Sequence, residues 1–227
     1  MAIYRDYYSR KGADRNDLLG NPEVVFQTFA VDRANIAALR SIEIDRTKAR
    51  VLDVGCGNGA SLLQFIRLGF KPSNLTGIDT DEERIAQGRA ELPGIDFRIE
   101  NADRLPFADE SFDLVVESTM LGTLDSKPLL AGIASEMVRV TRRGGHIMLI
   151  DWRYSREGSG VKTAINPAMI KGLFSVGRTT SVIAREPGML VPPIGRRVSR
   201  VLPSLYFLVQ RILPPAVGQM TTVLRKL

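Results

Sequence analysis

The spacing of apolar residues changes in a regular way along this chain from residue 49 onward. Short apolar and β-branched runs, which are typical of strands, alternate with segments in which apolar residues recur every three or four positions, as on one face of a helix. The runs predict strands at 50–54, 75–79, 97–102, 112–118 and 146–152. The segments between them predict helices at 59–69, 82–92 and 127–141.

Further elements are predicted on both sides of this alternating core. Asn21 followed by Pro22 is a typical helix start, and the periodicity behind it predicts a helix over 22–43. Toward the C-terminus, the pattern predicts a short helix and two closing strands, at 166–175, 179–185 and 221–225. Strands that are apolar along most of their length belong to a sheet covered on both faces. We therefore predict an α/β fold with a doubly wound, Rossmann-like, seven-stranded, mostly parallel sheet, helices on both faces and an N-terminal helical extension.

Composition places the chain among ordinary globular proteins, with 44% apolar and 25% charged residues in a length of 227. Cys56 is the only cysteine in the sequence, which excludes an internal disulfide and a multi-cysteine metal site. The first twenty residues are polar and charged, and no run of about eighteen apolar residues occurs, so we expect neither a signal peptide nor a spanning helix. These features predict a cytoplasmic protein.

The net charge of +6 is unevenly distributed. Residues 152–227 contain twelve lysines and arginines against Glu157 and Glu186, a net charge of +10, whereas residues 1–151 carry −4. A basic C-terminal third fits an anionic partner, which could be a phosphorylated substrate, an anionic lipid surface or nucleic acid. The alternative is a solvated basic face without a ligand.

A glycine-rich loop follows the first predicted strand, where residues 51–60 read VLDVGCGNGA. Gly55, Gly57 and Gly59 stand between that strand and a helix, so the backbone can approach a ligand closely and the helix N-terminus can meet an anionic group. A ligand bound there lies outside the carboxyl ends of the strands. The G-x-G-x-G spacing differs from the G-x-G-x-x-G of dinucleotide folds, which disfavours an oxidoreductase that uses a nicotinamide cofactor.

With Asp53 two positions before the first glycine, the loop resembles the first motif of class I S-adenosylmethionine-dependent methyltransferases. Three further segments match this family in order: a strand that ends in an acid at 75–79, the ENADRLPF segment at 100–107, and the DESFDLVV segment at 109–116. The resemblance covers roughly residues 49–152. It implies S-adenosylmethionine as cofactor and the division of the chain into an N-terminal arm and helix that covers the site (1–45) and a cofactor-binding domain (46–227), whose basic part (152–227) lies on the substrate side.

The resemblance also assigns cofactor contacts. It implies that Asp79 accepts the ribose hydroxyls, and that Asn101 and Ala102 meet the adenine ring, although the family has an acid where Asn101 stands and Asp103 could serve instead. Asn101 keeps a carbonyl acceptor for the adenine amino group. The full set of predicted cofactor residues is Asp53, Gly55, Cys56, Gly57, Gly59, Asp79, Thr80, Asn101, Ala102 and Glu117.

Methylation of a hydroxyl group requires a base to remove its proton, whereas a neutral amine needs none. His146 stands at the start of the fifth strand, the end opposite the cofactor, and is expected to be structural. Glu117 and Asp151, at the carboxyl ends of the fourth and fifth strands, are the candidate catalytic residues. Each could instead cap a helix or anchor a hydrogen bond, and two such carboxylates could bind Mg²⁺. No motif specific for a metal is present, so no metal site is predicted.

Aromatic residues near both ends of the domain are candidate substrate contacts. Tyr4 and Tyr8 could fold over the site, and Trp152 and Tyr154 follow the fifth strand, where they could stack on a ring of the acceptor. All of them could equally pack on the core. Nucleic acid is disfavoured as substrate, because the fourth strand lacks the Asp/Asn-Pro-Pro-aromatic run found in the family's base-amino methyltransferases.

The basic, apolar segment 196–213 has two interpretations. We expect its apolar face to pack on the sheet, and the alternative is that it lies on an anionic membrane, as a peripheral contact at the inner membrane surface. The segments YRDYY at 4–8 and RNDLL at 15–19, together with the proline- and arginine-containing tail, resemble a group of small bacterial methyltransferases that commonly accompany glycan-assembly enzymes.

We therefore predict methyl transfer to a hydroxyl of a small molecule or glycan, including a lipid-linked one. The alternatives are N-methylation of a small amine, and a non-catalytic S-adenosylmethionine-binding protein for regulation or assembly. The oligomeric state is not predicted.

Overall fold

The computed structural model describes residues 17–155 and 160–227. Over these residues, seven strands form a single sheet. The strands are β1 (Val51–Val54), β2 (Leu75–Asp79), β3 (Asp96–Ile99), β4 (Phe112–Ser118), β5 (Thr141–Trp152), β6 (Thr180–Pro187) and β7 (Gln219–Lys226). The α-helices are α1 (Pro22–Arg40), α2 (Ala60–Arg67), α3 (Glu82–Glu91), α4 (Lys127–Val140), α5 (Pro167–Leu173), α6 (Pro192–Val201) and α7 (Tyr206–Ile212).

The strand order in the sheet is β3-β2-β1-β4-β5-β7-β6. The first five strands are parallel, with β1 at the point where the order reverses between β2 and β4. Strand β7 runs antiparallel to both β5 and β6. The predicted doubly wound, mostly parallel sheet with helices on both faces and a helix before it is thereby confirmed, and open sheets of this kind bind ligands beyond the carboxyl ends of their strands.

Hydrophobic cores form on both faces of the sheet, which explains why the strands are apolar along their length. On one face, Leu52, Val115 and Leu149 pack with α4 and α5. On the other face, Val51 and Val116 pack with α1 and α2. Because alternate residues point to opposite faces, a polar residue at the end of such a strand is fixed to one side of the sheet.

Element boundaries differ from the predicted ones in a few places that matter for the site. Strand β3 ends at Ile99 rather than at 102, so Asn101 and Ala102 lie in the turn that follows. Strand β5 begins at Thr141 rather than at 146, because Thr141 already pairs with Phe112 of β4 before a register shift. The register shift accommodates the additional residues 142–145 of β5, which include Gly144 and Gly145.

Helix α1 packs against β6, β7 and α6 on one face of the sheet. Asn35 of this helix is buried, and its side chain accepts a hydrogen bond from Thr221 Oγ1 of β7 and donates one to Gln64 of α2. Residues 1–16 of the expected arm, including Tyr4 and Tyr8, lie outside the described residues. The division at residue 45, and the covering of the site by the N-terminal part, stay predictions.

The segment predicted as one apolar helical face forms two short helices, α6 and α7, separated by a turn at Pro203–Leu205. The expectation that its apolar face packs on the sheet is wrong for most of these side chains, because Tyr206 and Gln210 are the side chains that α7 buries. Among the described residues, none of the helices combines the length and the apolar character that a membrane crossing needs.

Candidate active site

The glycine-rich loop follows β1 and lies beside the end of β2. Gly55, Gly57 and Gly59 have φ angles of 75°, 57° and 85°, a left-handed conformation that strongly favours glycine. The backbone N–H groups of Gly55 and Cys56 both donate to the carbonyl of Ile78, at 2.8 and 2.9 Å. The loop is therefore held to the neighbouring strand by backbone bonds and depends on glycine for its shape.

Protein side chains already occupy the space around these glycines. A Cβ atom added at Gly55 would stand 2.5 Å from Met120 Cγ, and one at Gly57 would collide with the guanidinium of Arg84. The sequence predicts that a side chain at Gly57 would project into the path of the cofactor. In this structure the first atoms that it would meet belong to Arg84.

Asp79, the predicted ribose ligand, ends β2 beside the loop. Its Oδ2 accepts a hydrogen bond from Gly57 N at 2.9 Å, and its Oδ1 accepts one from Asp81 N at 2.9 Å. The side chain is half-buried, as is Thr80 after it. Each carboxylate oxygen has a second lone pair, so Asp79 can accept two hydroxyl groups while it holds the loop.

Asp53 is fully buried at the third position of β1. Its Oδ2 accepts a short hydrogen bond from the hydroxyl of Ser61, and its Oδ1 has no donor among the described residues. Burial raises the pKa of Asp53 to about 7, with the negative charge of Asp79 adding to the rise and the Ser61 hydrogen bond opposing it. The unpaired oxygen marks a site for a hydrogen-bond donor or a cation.

Glu117 and Asp151 come together at the carboxyl ends of β4 and β5, and both are buried. Glu117 Oε2 accepts from Met120 N at 3.2 Å and Leu121 N at 3.3 Å, whereas Glu117 Oε1 has no donor among the described residues. Asp151 accepts from Gly122 N at 2.7 Å and Trp152 N at 2.6 Å.

The environment of this pair favours its protonated forms. Burial and the proximity of Asp151 raise the pKa of Glu117 well above its usual range. Burial raises the pKa of Asp151 to about 7, although backbone hydrogen bonds from Trp152 and Gly122 lower it in part. Two carboxyl groups in contact in a buried site titrate as a pair.

Whether S-adenosylmethionine fits this edge of the sheet depends on the groups there that can bind the polar parts of the cofactor. The cofactor carries a sulfonium, an ammonium, a carboxylate and two ribose hydroxyls. Asp53 Oδ1 and Glu117 Oε1 are buried acceptors that need a donor or a cation, and Asp79 retains acceptor capacity for hydroxyls. The positive φ angles at the glycines give the close backbone approach that the resemblance requires. The residues present therefore fit the cofactor.

The turn after β3 supplies the predicted adenine contacts. Glu100 N donates to the carbonyl of Asp79, so the turn begins beside the predicted ribose ligand. Asn101 is exposed and Ala102 is half-buried against the core. The predicted ribose ligand, Asp79, and the predicted adenine contacts, Asn101 and Ala102, are thus neighbours along the sheet edge, as ribose and base are neighbours in a nucleoside. The alternative residue, Asp103, is exposed in the same turn.

The aromatic residues after β5 lie against the segment that precedes β7. Trp152 is half-buried with its ring against Gly218, and Tyr154 donates from its hydroxyl to the carbonyl of Pro215 at 3.1 Å. Arg153 N donates to the carbonyl of Gly218 at 2.7 Å. These bonds join the end of β5 to the C-terminal segment, and the proposed contacts of Trp152 and Tyr154 with an acceptor stay predictions.

Cys56 and His146 have environments that favour structural roles. The Cys56 thiol is buried against Gly77, and burial together with the charges of Asp53 and Asp79 raises its pKa, so the thiol stays protonated. His146 pairs with Leu114 early in β4, away from the carboxyl ends. Its pKa is lowered by burial and by the charges of Arg225 and Arg142.

No group of three or more histidine, cysteine, aspartate or glutamate side chains with metal-binding geometry occurs within residues 17–155 and 160–227. Three neighbours of the loop were not predicted: Ser61, Arg84 and Met120 contact Asp53, Gly57 and Gly55. Ser61 could have been found from its place in the first turn of α2. Arg84 and Met120 come from other elements, and no local pattern indicates their contacts.

Comparisons with known proteins agree with this geometry. A model of the family described as methyltransferase domain matches residues 52–149. The chain is 30% identical over 191 residues to phthiotriol/phenolphthiotriol dimycocerosates methyltransferase 1 of Mycobacterium ulcerans (strain Agy99), which covers 75% of this chain and 69% of that protein. It is 29% identical over 144 residues to the phthiotriol/phenolphthiotriol dimycocerosates methyltransferase of Mycobacterium leprae (strain TN), which covers 60% and 52%. The chain thus spans between about half and two thirds of the length of these relatives.

A solved structure supports the fold independently. An S-adenosylmethionine-dependent methyltransferase from Mesorhizobium loti has a TM-score of 0.61 with this chain at 17% sequence identity, and the match covers 85% of this chain and 97% of that one. At this identity the likeness concerns the fold alone.

Proposed function

The chain belongs to the class I S-adenosylmethionine-dependent methyltransferases, and on that premise we propose that it transfers the methyl group to a hydroxyl of a lipid or lipid-linked acceptor. The observation that carries the proposal is the buried pair of Glu117 and Asp151 at the carboxyl ends of β4 and β5, with a pKa of about 7 for Asp151. A carboxylate with a pKa near the working pH is suited to remove a proton from a hydroxyl group.

Residues of the glycine loop and the neighbouring strand ends hold the cofactor in this proposal. Asp79 accepts the ribose hydroxyls, and Asn101 with Ala102 receives the adenine ring. Asp53 and Glu117 have unpaired oxygens that accept from the ammonium of the methionine part. S-adenosylmethionine supplies an electrophilic methyl group on sulfur. The chain's own contribution is to orient the acceptor, to exclude water and to take up the proton.

The 3₁₀ turn at Leu121–Thr123 positions the acid pair. Gly122 N donates to Asp151, and the carbonyl of Gly122 accepts from the backbone N–H groups of Lys162 and Thr163 at 2.8 and 3.0 Å. The turn therefore holds Asp151 through the N–H group of Gly122, and it holds the segment after β5 through the carbonyl group of Gly122. A fixed base is required because proton removal must coincide with methyl transfer to the hydroxyl oxygen.

The names of the relatives support a lipid acceptor. Both relatives are named for phthiotriol/phenolphthiotriol dimycocerosates, and a triol is a hydroxyl compound. The glycan acceptor suggested by the sequence stays a prediction within the same hydroxyl chemistry. The methyltransferase names of the relatives also favour an enzyme over a non-catalytic S-adenosylmethionine-binding protein.

The test is mass spectrometry of a panel of long-chain diols, triol esters, glycolipids and amines after incubation with the protein and S-adenosylmethionine. We expect a gain of one methyl group as a methyl ether on a long-chain hydroxyl compound. Transfer only to amines would overturn the proposal in favour of N-methylation. Calorimetry with S-adenosylmethionine and with NAD is the control for the site, and binding of NAD alone would contradict the cofactor.

A further inference from the structure

Helix α7 buries Tyr206 and Gln210 and leaves the apolar side chains of Phe207, Leu208 and Ile212 exposed. Tyr206 and Gln210, one turn apart, are buried. The hydroxyl of Tyr206 accepts a hydrogen bond from Leu190 N at 3.0 Å, and Gln210 donates to the carbonyl of Gly188 and accepts from Arg33. Tyr206 also packs in a hydrophobic cluster with Leu190 and Val217, and Val209 lies partly buried against that cluster. The helix is therefore attached by one side, and its other side is exposed.

The exposed face continues from α7 onto the end of α6. We define the α6–α7 surface by its exposed apolar side chains Val201, Leu202, Phe207, Leu208, Ile212 and Leu213. Ile212 is 67% exposed and Leu208 is 50% exposed. Scattered exposed leucines need no explanation, but seven exposed large apolar side chains within thirteen residues, these six and Leu205, indicate an interaction surface.

Positive charges surround this surface. Arg197 and Arg200 on α6 and Arg211 on α7 are exposed, and the sequence contains no aspartate or glutamate after Glu186. Arg200 is 3.2 Å from Glu23 of α1, which neutralises part of the charge. Arg197 and Arg211 have no carboxylate within 4.0 Å among the described residues, so their charge is available to an anionic partner.

The surface lies at the same edge of the sheet as the candidate active site. Strand β6 ends at Pro187, opposite Met220, and Met220 pairs with Asp151 of β5. The connection 188–218, which contains α6 and α7, therefore leaves and re-enters the sheet at its carboxyl edge. Tyr154 and Arg153 reach from the end of β5 to the carbonyls of Pro215 and Pro214 in this connection.

We propose that the α6–α7 surface binds the surface of an anionic lipid bilayer, with its apolar side chains at the acyl boundary and Arg197 and Arg211 at the phosphates. A short helix that exposes leucine, isoleucine and phenylalanine together with arginine suits that position. The role of this contact rests on the lipid acceptor proposed above, because an enzyme held there would meet its substrate at the edge that contains Asp151. Attraction to phosphate favours a bilayer over a neutral apolar partner.

The experiment is flotation of the full chain with vesicles of phosphatidylcholine alone and of phosphatidylcholine mixed with phosphatidylglycerol, at low and high salt. We expect binding to the mixed vesicles at low salt and weaker binding to neutral ones. Leu208→Glu combined with Ile212→Glu should lower the partition coefficient more than about tenfold. Arg197→Gln and Arg211→Gln should each lower it by about fivefold.

Matched controls lie elsewhere on the chain. Leu63 on α2 is 46% exposed, so Leu63→Glu changes an apolar side chain of similar exposure. Arg178 is exposed just before β6, at the opposite edge of the sheet, so Arg178→Gln removes the same charge. Both controls should bind vesicles like the wild type. Unchanged S-adenosylmethionine binding by calorimetry shows that each variant is folded.

Two results would overturn the inference. One is an absence of wild-type binding to the mixed vesicles at low salt. If the wild type is then a dimer that Leu208→Glu with Ile212→Glu dissociates, a second copy of the chain covers the surface instead of a bilayer. The other is equal loss in the control and surface variants. Flotation requires no methyl transfer, so it tests the membrane contact separately from the acceptor. If the protein binds vesicles but methylates no lipid, the proposed acceptor is wrong and the proposed membrane contact is still supported.

Discussion

The carboxyl groups of Glu117 and Asp151 interact where β4 and β5 end side by side, and burial raises the pKa of both. Glu117 keeps one oxygen without a donor among the described residues, while both oxygens of Asp151 accept backbone hydrogen bonds. A buried pair of this kind holds a proton near neutral pH and can take up another group's proton only after it has lost its own. We therefore predict that methyl transfer depends on pH.

Asp151→Asn should lower kcat for a hydroxyl acceptor by about 10² to 10⁴, the usual contribution of a general base. In the wild type, kcat should rise with pH and level off above about 7, because the base must be ionised. Steady-state kinetics across this range measures both effects, and calorimetry should show that the variant still binds S-adenosylmethionine. His146→Gln, five residues before Asp151 in β5, is the control for a second titrating group. An unchanged rate and pH profile in Asp151→Asn would remove Asp151 from the mechanism.

Asp53 should make the folded protein less stable as pH rises. Its pKa is raised from 3.8 to about 7 on folding, so the folded state binds the proton more tightly than the unfolded chain. The stabilisation is complete below the unfolded pKa and is lost as pH rises through about 7, by at most about 4 kcal/mol. Asp53→Asn cannot ionise, so its free energy of unfolding in urea should fall less than that of the wild type between about pH 5 and pH 8.

Asp103→Asn, a change at an exposed carboxylate, is the control for the Asp53 experiment and should follow the wild type. The pH dependence that remains in Asp53→Asn includes contributions from Glu117 and Asp151, whose pKa values are also raised, and an opposite contribution from His146, whose pKa is lowered. Parallel curves for the wild type and Asp53→Asn would mean that Asp53 is ionised in the folded protein at neutral pH.

Gly57→Ala should destabilise the loop and weaken cofactor binding together. The φ angle of 57° costs about 1–2 kcal/mol for a residue with a Cβ, and that atom collides with Arg84. Combining Gly57→Ala with Arg84→Ala removes the collision and leaves the backbone strain. Urea unfolding of the single and double variants separates the two costs. Additive effects would show that Arg84 does not contact the new methyl group.

Asp79→Ala should weaken binding of S-adenosylmethionine by about 2–3 kcal/mol in calorimetry, because a charged acceptor is lost for the ribose hydroxyls. Asp79→Asn keeps one acceptor oxygen, so its loss should be smaller. Asp79 also accepts from Gly57 N, and the alanine variant should therefore lower thermal stability as well. Equal affinity in all three proteins would place the ribose elsewhere.

Tyr206→Phe should lower the free energy of unfolding by about 1–3 kcal/mol, because the buried N–H of Leu190 loses its acceptor. Burial also raises the pKa of Tyr206 to about 12, so its hydroxyl stays neutral at working pH. Tyr154→Phe is the matched control, since the hydroxyl of Tyr154 bonds a carbonyl at an exposed position. Urea unfolding of both variants tests the attachment of α7, and equal small losses would contradict it.

The alternation of apolar runs and helical segments determined the fold, because each element buries a face that its own residues define. The positions of Gly55, Gly57 and Gly59 after a strand, and of Asp79 at the end of the next one, likewise predicted the cofactor edge. Residues within a few positions of one another hold this information, so it can be obtained from the sequence alone.

The tertiary structure decided what depends on distant partners. Asp53 has one unpaired oxygen because Ser61 satisfies only the other, and Asp151 meets Glu117 through the pairing of β4 with β5. In α7 the apolar periodicity indicated a buried face, yet Tyr206 and Gln210 are the buried side chains. Their hydrogen-bond partners lie sixteen and twenty-two positions away, and no local pattern of apolar residues can register such partners.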